Sequence, residues 1–87
     1  MYKYACEFTV IGIGEFPLDM MRYDRCTPAT QQDVAQISSL PYVENTVQVR
    51  MIRFTEGKGR NHADNPTVER WKSFGWRVSD ITWRKLS

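Results

Sequence analysis

The sequence predicts an α+β fold, a two-layer sandwich in which a three-stranded sheet carries two helices on one face, in β-α-β-α-β order. Three observations predict it. Tyr4, Cys6, Phe8 and Val10 alternate with Lys3, Ala5, Glu7 and Thr9, and Val47, Val49 and Met51 alternate with Thr46, Gln48 and Arg50, the period-two pattern of half-buried strands. "TPATQQDVAQISSLP" repeats Val34, Ile37 and Leu40 at helical spacing. "NPTVERWKSFGW" carries helix signals at both ends.

The first strand starts at Tyr2, continues through "VIGIG" and ends near Glu15, with Gly12 and Gly14 marking a bulge or a close backbone approach. Phe16 and Pro17 then turn the chain, and Pro17 opens a short helical turn through Leu18, Met21 and Arg25. For the first full helix, Thr27 is the expected N-cap, Pro28 the first position and Pro41 the stop after Leu40, with Gln32, Gln36 and Ser39 on the polar face. The second strand falls within 45–57 and puts Ile52 and Phe54 on its second face. Residues 56–65 form an exposed loop, because nothing there larger than Ala63 is apolar.

The second helix takes Asn65 as N-cap and Pro66 at its first position, turns Val68, Trp71 and Phe74 inward, and ends before Gly75. A third strand over 76–86 follows, with Trp76 and Val78 on one face and Arg77, Ser79, Ile81 and Trp83 on the other.

With 87 residues, the chain suits one domain, 1–87, since domains usually run to about 100 to 150 residues. Its 41% hydrophobic and 25% charged content supports one core and excludes a disordered tail. Two cysteines, Cys6 and Cys26, are too few for a disulfide framework and read as reduced thiols. No apolar run approaches the roughly 20 residues that span a bilayer, so the expectation is a cytoplasmic protein with no membrane partner. Net charge is +2, divided as minus two over 1–43 (three Lys/Arg, five Asp/Glu) and plus four over 44–87 (nine against five). The basic second half is compatible with an anionic partner.

"FPLDMMRYDRC", residues 16–26, offers Asp19 or Asp24 as acid or base, Tyr23 as a donor, and Arg22 and Arg25 as anion clamps. The competing and preferred reading is a structural latch, in which Asp19 pairs with Arg22 and Leu18, Met21 and Cys26 plug the core, with an exposed recognition edge. No catalytic constellation is completed here. With the following "TP", the run resembles a string in small uncharacterised phage and prophage proteins, over about a dozen of the 87 residues. The resemblance implies a setting in which small accessory proteins bind and alter a host or phage machine. It assigns no site.

"GKGRNH" lacks the phosphate-loop spacing and reads as a solvated turn whose Lys58 and Arg60 can touch phosphates nonspecifically. A zinc site would need Cys6, Cys26, His62 and Asp64 to converge without paired-cysteine spacing, and catalysis by either thiol would need His62 as base, so neither a metal nor a cofactor is expected. Trp71, Trp76 and Trp83 lie beside Arg70, Lys72, Arg77 and Arg84, an interleaving that suits RNA as well as protein. Helical spacing buries Trp71, and Trp76 shares its face with Val78, which leaves Trp83 as the exposed aromatic.

If both helices cover one sheet face, the other presents Arg50, Ile52, Phe54, Arg77, Ile81 and Trp83, an apolar patch rimmed by arginine. The sequence therefore points to a non-enzymatic module that binds a protein partner, or a second copy of itself, through that face with Trp83 as anchor. The alternative is a nucleic-acid binder using Arg50, Arg53, Lys58, Arg60, Arg77, Arg84 and Lys85.

Overall fold

The computed structural model describes residues 2–39, 46–57 and 65–87. Its elements are β1 (Tyr4–Gly12), α1 (Leu18–Tyr23), β2 (Thr27–Pro28), α2 (Gln31–Ser38), β3 (Val47–Thr55), α3 (Val68–Ser73) and β4 (Arg77–Lys85). The strands form one antiparallel sheet in the order β2-β3-β1-β4. The expected sheet of three strands with two helices is thereby corrected to four strands with three short helices among the described residues.

The extra strand comes from Thr27–Pro28, the pair expected to open a helix. A residue before proline is pushed to extended backbone, and proline, which cannot donate, is tolerated on an edge. These two residues pair with Ile52 and Met51. The helix begins three residues later, at Thr30. There the Thr30 hydroxyl accepts from the Asp33 amide at 3.1 Å while the Asp33 carboxylate accepts from the Thr30 amide at 3.0 Å, a reciprocal capping box.

That box also sets the roll of α2. Asp33 is buried against β3 with Ile37 one turn on, so Val34, expected inward, stands 46% exposed. Leu40 and Pro41 lie outside the described residues.

One continuous core lies on a single sheet face. Cys6, Phe8 and Val10 of β1 oppose Arg53, Met51 and Val49 of β3, and this row meets Met20 of α1, Trp71 of α3, Phe16 and Trp76. Phe16 stands edge-on to both indoles, at 5.7 and 5.3 Å. Gly12 has a steric reason to be glycine, because a Cβ there would run into the Trp76 ring. Of the inward residues expected, Phe8, Val10, Val47, Val49 and Trp71 are buried and Val78 is half-buried.

α3 follows its signals with a shift. Thr67 occupies the N-cap position, Gly75 closes the helix at φ +83°, and Phe74, expected inward, is 45% exposed as the C-cap. In β4 the register with β1 breaks between Glu7 and Thr9. Glu7 faces Thr82 and Thr9 faces Ser79, so Asp80 and Ile81 together oppose Phe8. Asp80 takes the left-handed conformation, φ +54°, that such a bulge requires.

The bulge corrects the face assigned to Trp83. One extra residue inverts the alternation beyond it, so Trp83 comes opposite Cys6 and packs on the core together with Val78. The open face keeps Arg50, Ile52, Phe54 and Arg77, with Ile81 at the bulge, and Trp83 is not part of it.

Candidate functional site

Where β2 stops, the chain separates from β3 and a cleft of about 640 Å³ opens between the α1–β2 turn and the end of β3. Tyr23, Arg25 and Thr27 line one side, Ile52, Phe54 and Thr55 the other, and Asp24, Arg53, Glu56 and Thr67 also border it. Four residues singled out in the sequence, Tyr23, Arg25, Ile52 and Phe54, are thus brought together.

The inner wall is built by Asp24. Buried to 2% exposure, it accepts at Oδ1 from Arg53 Nη1 at 3.1 Å, the Thr67 amide at 3.0 Å and the Thr67 hydroxyl at 3.0 Å, and at Oδ2 from the Trp71 indole N–H at 3.1 Å. Four donors thus converge on this one carboxylate, three at Oδ1 and one at Oδ2. The group ties the end of α1, strand β3 and the start of α3 to one point. It is therefore a structural hub, since proton transfer would require breaking bonds that hold three elements.

Arg53 is 6% exposed and pairs with Asp24, so the expected contact to nucleic acid is corrected to a buried ion pair. Its Nη2 has no hydrogen-bond partner among the described residues. The alternation Val47, Val49, Met51, Arg53 was a readable signal. An arginine on the inward side of a strand needs a buried anion.

Around the mouth stand Tyr2 and Phe54, stacked at 6.0 Å, and Tyr23, over which the Arg70 guanidinium sits at 5.2 Å. Arg25 is exposed, forms no ion pair among the described residues and adopts φ +52°. A long side chain in that conformation stores strain of roughly 1 to 2 kcal/mol. Asp19 and Arg22, expected to pair, are exposed and form no ion pair among the described residues.

The remaining candidates scatter. Arg50 and Arg84 reach Glu7 from either side at 3.5 and 3.2 Å on the open sheet face, where Arg77 is also exposed. Lys58, Arg60, His62 and Asp64 lie outside the described residues. Both cysteines are buried free thiols. Burial pushes Cys6 up to about 11 and Cys26 up to about 12 against the nearby Arg53 charge, which keeps both protonated at neutral pH and poorly nucleophilic. No group of three metal-ligating side chains occurs among the described residues, and no described helix is long and apolar enough to cross a membrane.

Compared with protein families, with curated proteins and with solved structures, the chain shows no match.

Proposed function

We propose that the chain is a small non-enzymatic binding module that engages a protein partner through the cleft beside β3. The observation that carries this reading is the convergence of Tyr23, Arg25, Ile52 and Phe54 on one concavity of about 640 Å³, within the roughly 300 to 1,000 Å³ range of ligand sites. Exposed aromatics beside an arginine that forms no ion pair among the described residues are the usual make-up of an interface centre. The four hydrogen bonds that converge on Asp24 and the protonated thiols argue against acid–base or thiolate chemistry in this wall. An accessory role in a bacterial cytoplasm, acting on a phage or host machine, accords with the resemblance of "FPLDMMRYDRC".

The test is retention from a bacterial lysate on the immobilised chain, with and without nuclease, beside a Tyr23→Ala/Phe54→Ala variant. A stoichiometric protein should be retained despite nuclease and lost from the variant. Retention that disappears with nuclease would favour the nucleic-acid reading. Equal retention by the variant would move the site to the open face around Arg50, Arg77 and Ile81, and no retained protein would contradict the proposal.

A further inference from the structure

β3 is unequally covered on its two sides. β1 pairs with it from Thr55 to Val47 without interruption, whereas β2 supplies only Thr27 opposite Ile52 and Pro28 opposite Met51. Just beyond Pro28 the edge is still satisfied. The Ala29 amide donates to the Arg50 carbonyl at 2.8 Å, and the Arg50 amide donates to the Asp33 carboxylate at 3.4 Å. In an antiparallel ladder every second residue turns its main chain to the same side, so Arg50, Ile52 and Phe54 face this edge while Arg53 and Thr55 face β1.

Continuing the β2 register would bring Arg25 opposite Phe54. It does not pair there. At φ +52° Arg25 turns the chain away, and its amide donates instead to the Arg22 carbonyl at 3.3 Å. Among the described residues no segment pairs with the main chain of Phe54 on this side, and it faces the cleft one rung short of where the ladder could continue.

We infer that the cleft accepts an extended acidic peptide of the partner protein, which continues the ladder of β2 by pairing its main chain with Phe54. The inference rests on the protein-binding reading above and names the partner's chemistry. An exposed strand edge recognises another main chain, and flanking pockets recognise alternate side chains. The acidic character is argued from Arg25, since Glu56 also borders the cleft but forms no ion pair with it among the described residues. Asp24 is bound by Arg53, Thr67 and Trp71, and the Arg25 guanidinium has no acidic partner among the described residues. The stacked Tyr2 and Phe54 and the Tyr23 ring offer apolar flanks. The strain at Arg25 has a role on this account, since it bends the chain out of the place the peptide takes.

The probe is a heptapeptide selected from a random library for binding to the full chain, then synthesised with each amide methylated in turn. Methylation of the one peptide residue opposite Phe54 should weaken binding about tenfold or more, as loss of a hydrogen bond with added steric conflict does, while methylation of its two neighbours changes it little. Acidic residues should dominate the selected sequences. Arg25→Glu should weaken the same peptide about tenfold and Arg77→Glu, on the open sheet face, should not. A flat methylation scan with binding still sensitive to Arg25→Glu would overturn strand addition and leave the cleft as a binding site. Binding indifferent to Arg25→Glu, or no peptide selected at all, would overturn both. A dimer that is abolished by Arg25→Glu and admits no peptide would place a second copy of the chain there and overturn the acidic-peptide assignment.

Discussion

The two edges of the sheet are treated oppositely by the sequence. β4, at one edge, carries a bulge with Asp80 at φ +54° and bears Arg77, Arg84 and Lys85. Bulges and charges are the usual means of preventing another strand from adding. At the other edge β2 and Asp33 cover the middle of β3 and stop, and the end that no other described residue covers borders a cleft lined by aromatic rings and by Arg25, which forms no ion pair among the described residues. An edge guarded at one side and left open beside a concavity at the other is the contrast on which the proposed recognition rests. It also explains why the buried network sits where it does, because Asp24 fixes both walls of the open edge.

The largest way to break the contrast is to remove that fixture. Asp24→Ala leaves Arg53 buried without its anion, a loss of the kind that costs about 3 to 5 kcal/mol, and urea unfolding should show a collapse of that size. Trp71→Ala should cost about 3 to 5 kcal/mol as well, through the cavity of a large buried aromatic. Asp33→Ala removes the capping box and the Arg50 amide contact. It should cost about 1 to 2 kcal/mol and speed amide exchange along the covered part of β3 while leaving β4 unchanged.

Arg25→Gly sharpens the comparison in the opposite direction. It should raise stability by up to about 1 kcal/mol by relieving the left-handed strain, yet weaken partner binding, a separation that a purely structural arginine would not show. The effect that is absent at neutral pH is that of alkali. Cys6 and Cys26 ionise near 9.0 when unfolded but only at about 11 and about 12 in the fold, mainly because burial disfavours the thiolate. The native state therefore holds more protons above pH 9. Stability should be intact below that pH and decline as pH rises toward 11 and 12, with a shallower decline in Cys26→Ala.

The strands were legible in the sequence because alternation is a local signal. The inward row of β3, the terminal glycine of α3 and the close approach at Gly12 all follow from residue type and spacing. What escaped depended on partners distant in sequence or on a single inserted residue. Thr27 and Pro28 carry a plausible helix start, yet Thr30 and Asp33 cap the helix better and release the first pair to the sheet. Trp83 looked outward because strict alternation was carried through Asp80, and nothing local marks a bulge there except an aspartate that tolerates positive φ. Asp24 reads in the sequence as a candidate acid or base in a turn. Its role emerges only when Arg53, 29 residues away in sequence, is placed on the inward side of β3.

The most direct measurement is amide hydrogen exchange of the free chain at three consecutive residues of β3. The account predicts that the Arg53 and Thr55 amides, which face β1, exchange only through opening of the sheet, while the Phe54 amide between them exchanges at nearly the rate of an open amide. A Phe54 amide as protected as its neighbours would mean that the chain itself already closes this edge, and the cleft would then hold no vacant rung for a partner strand.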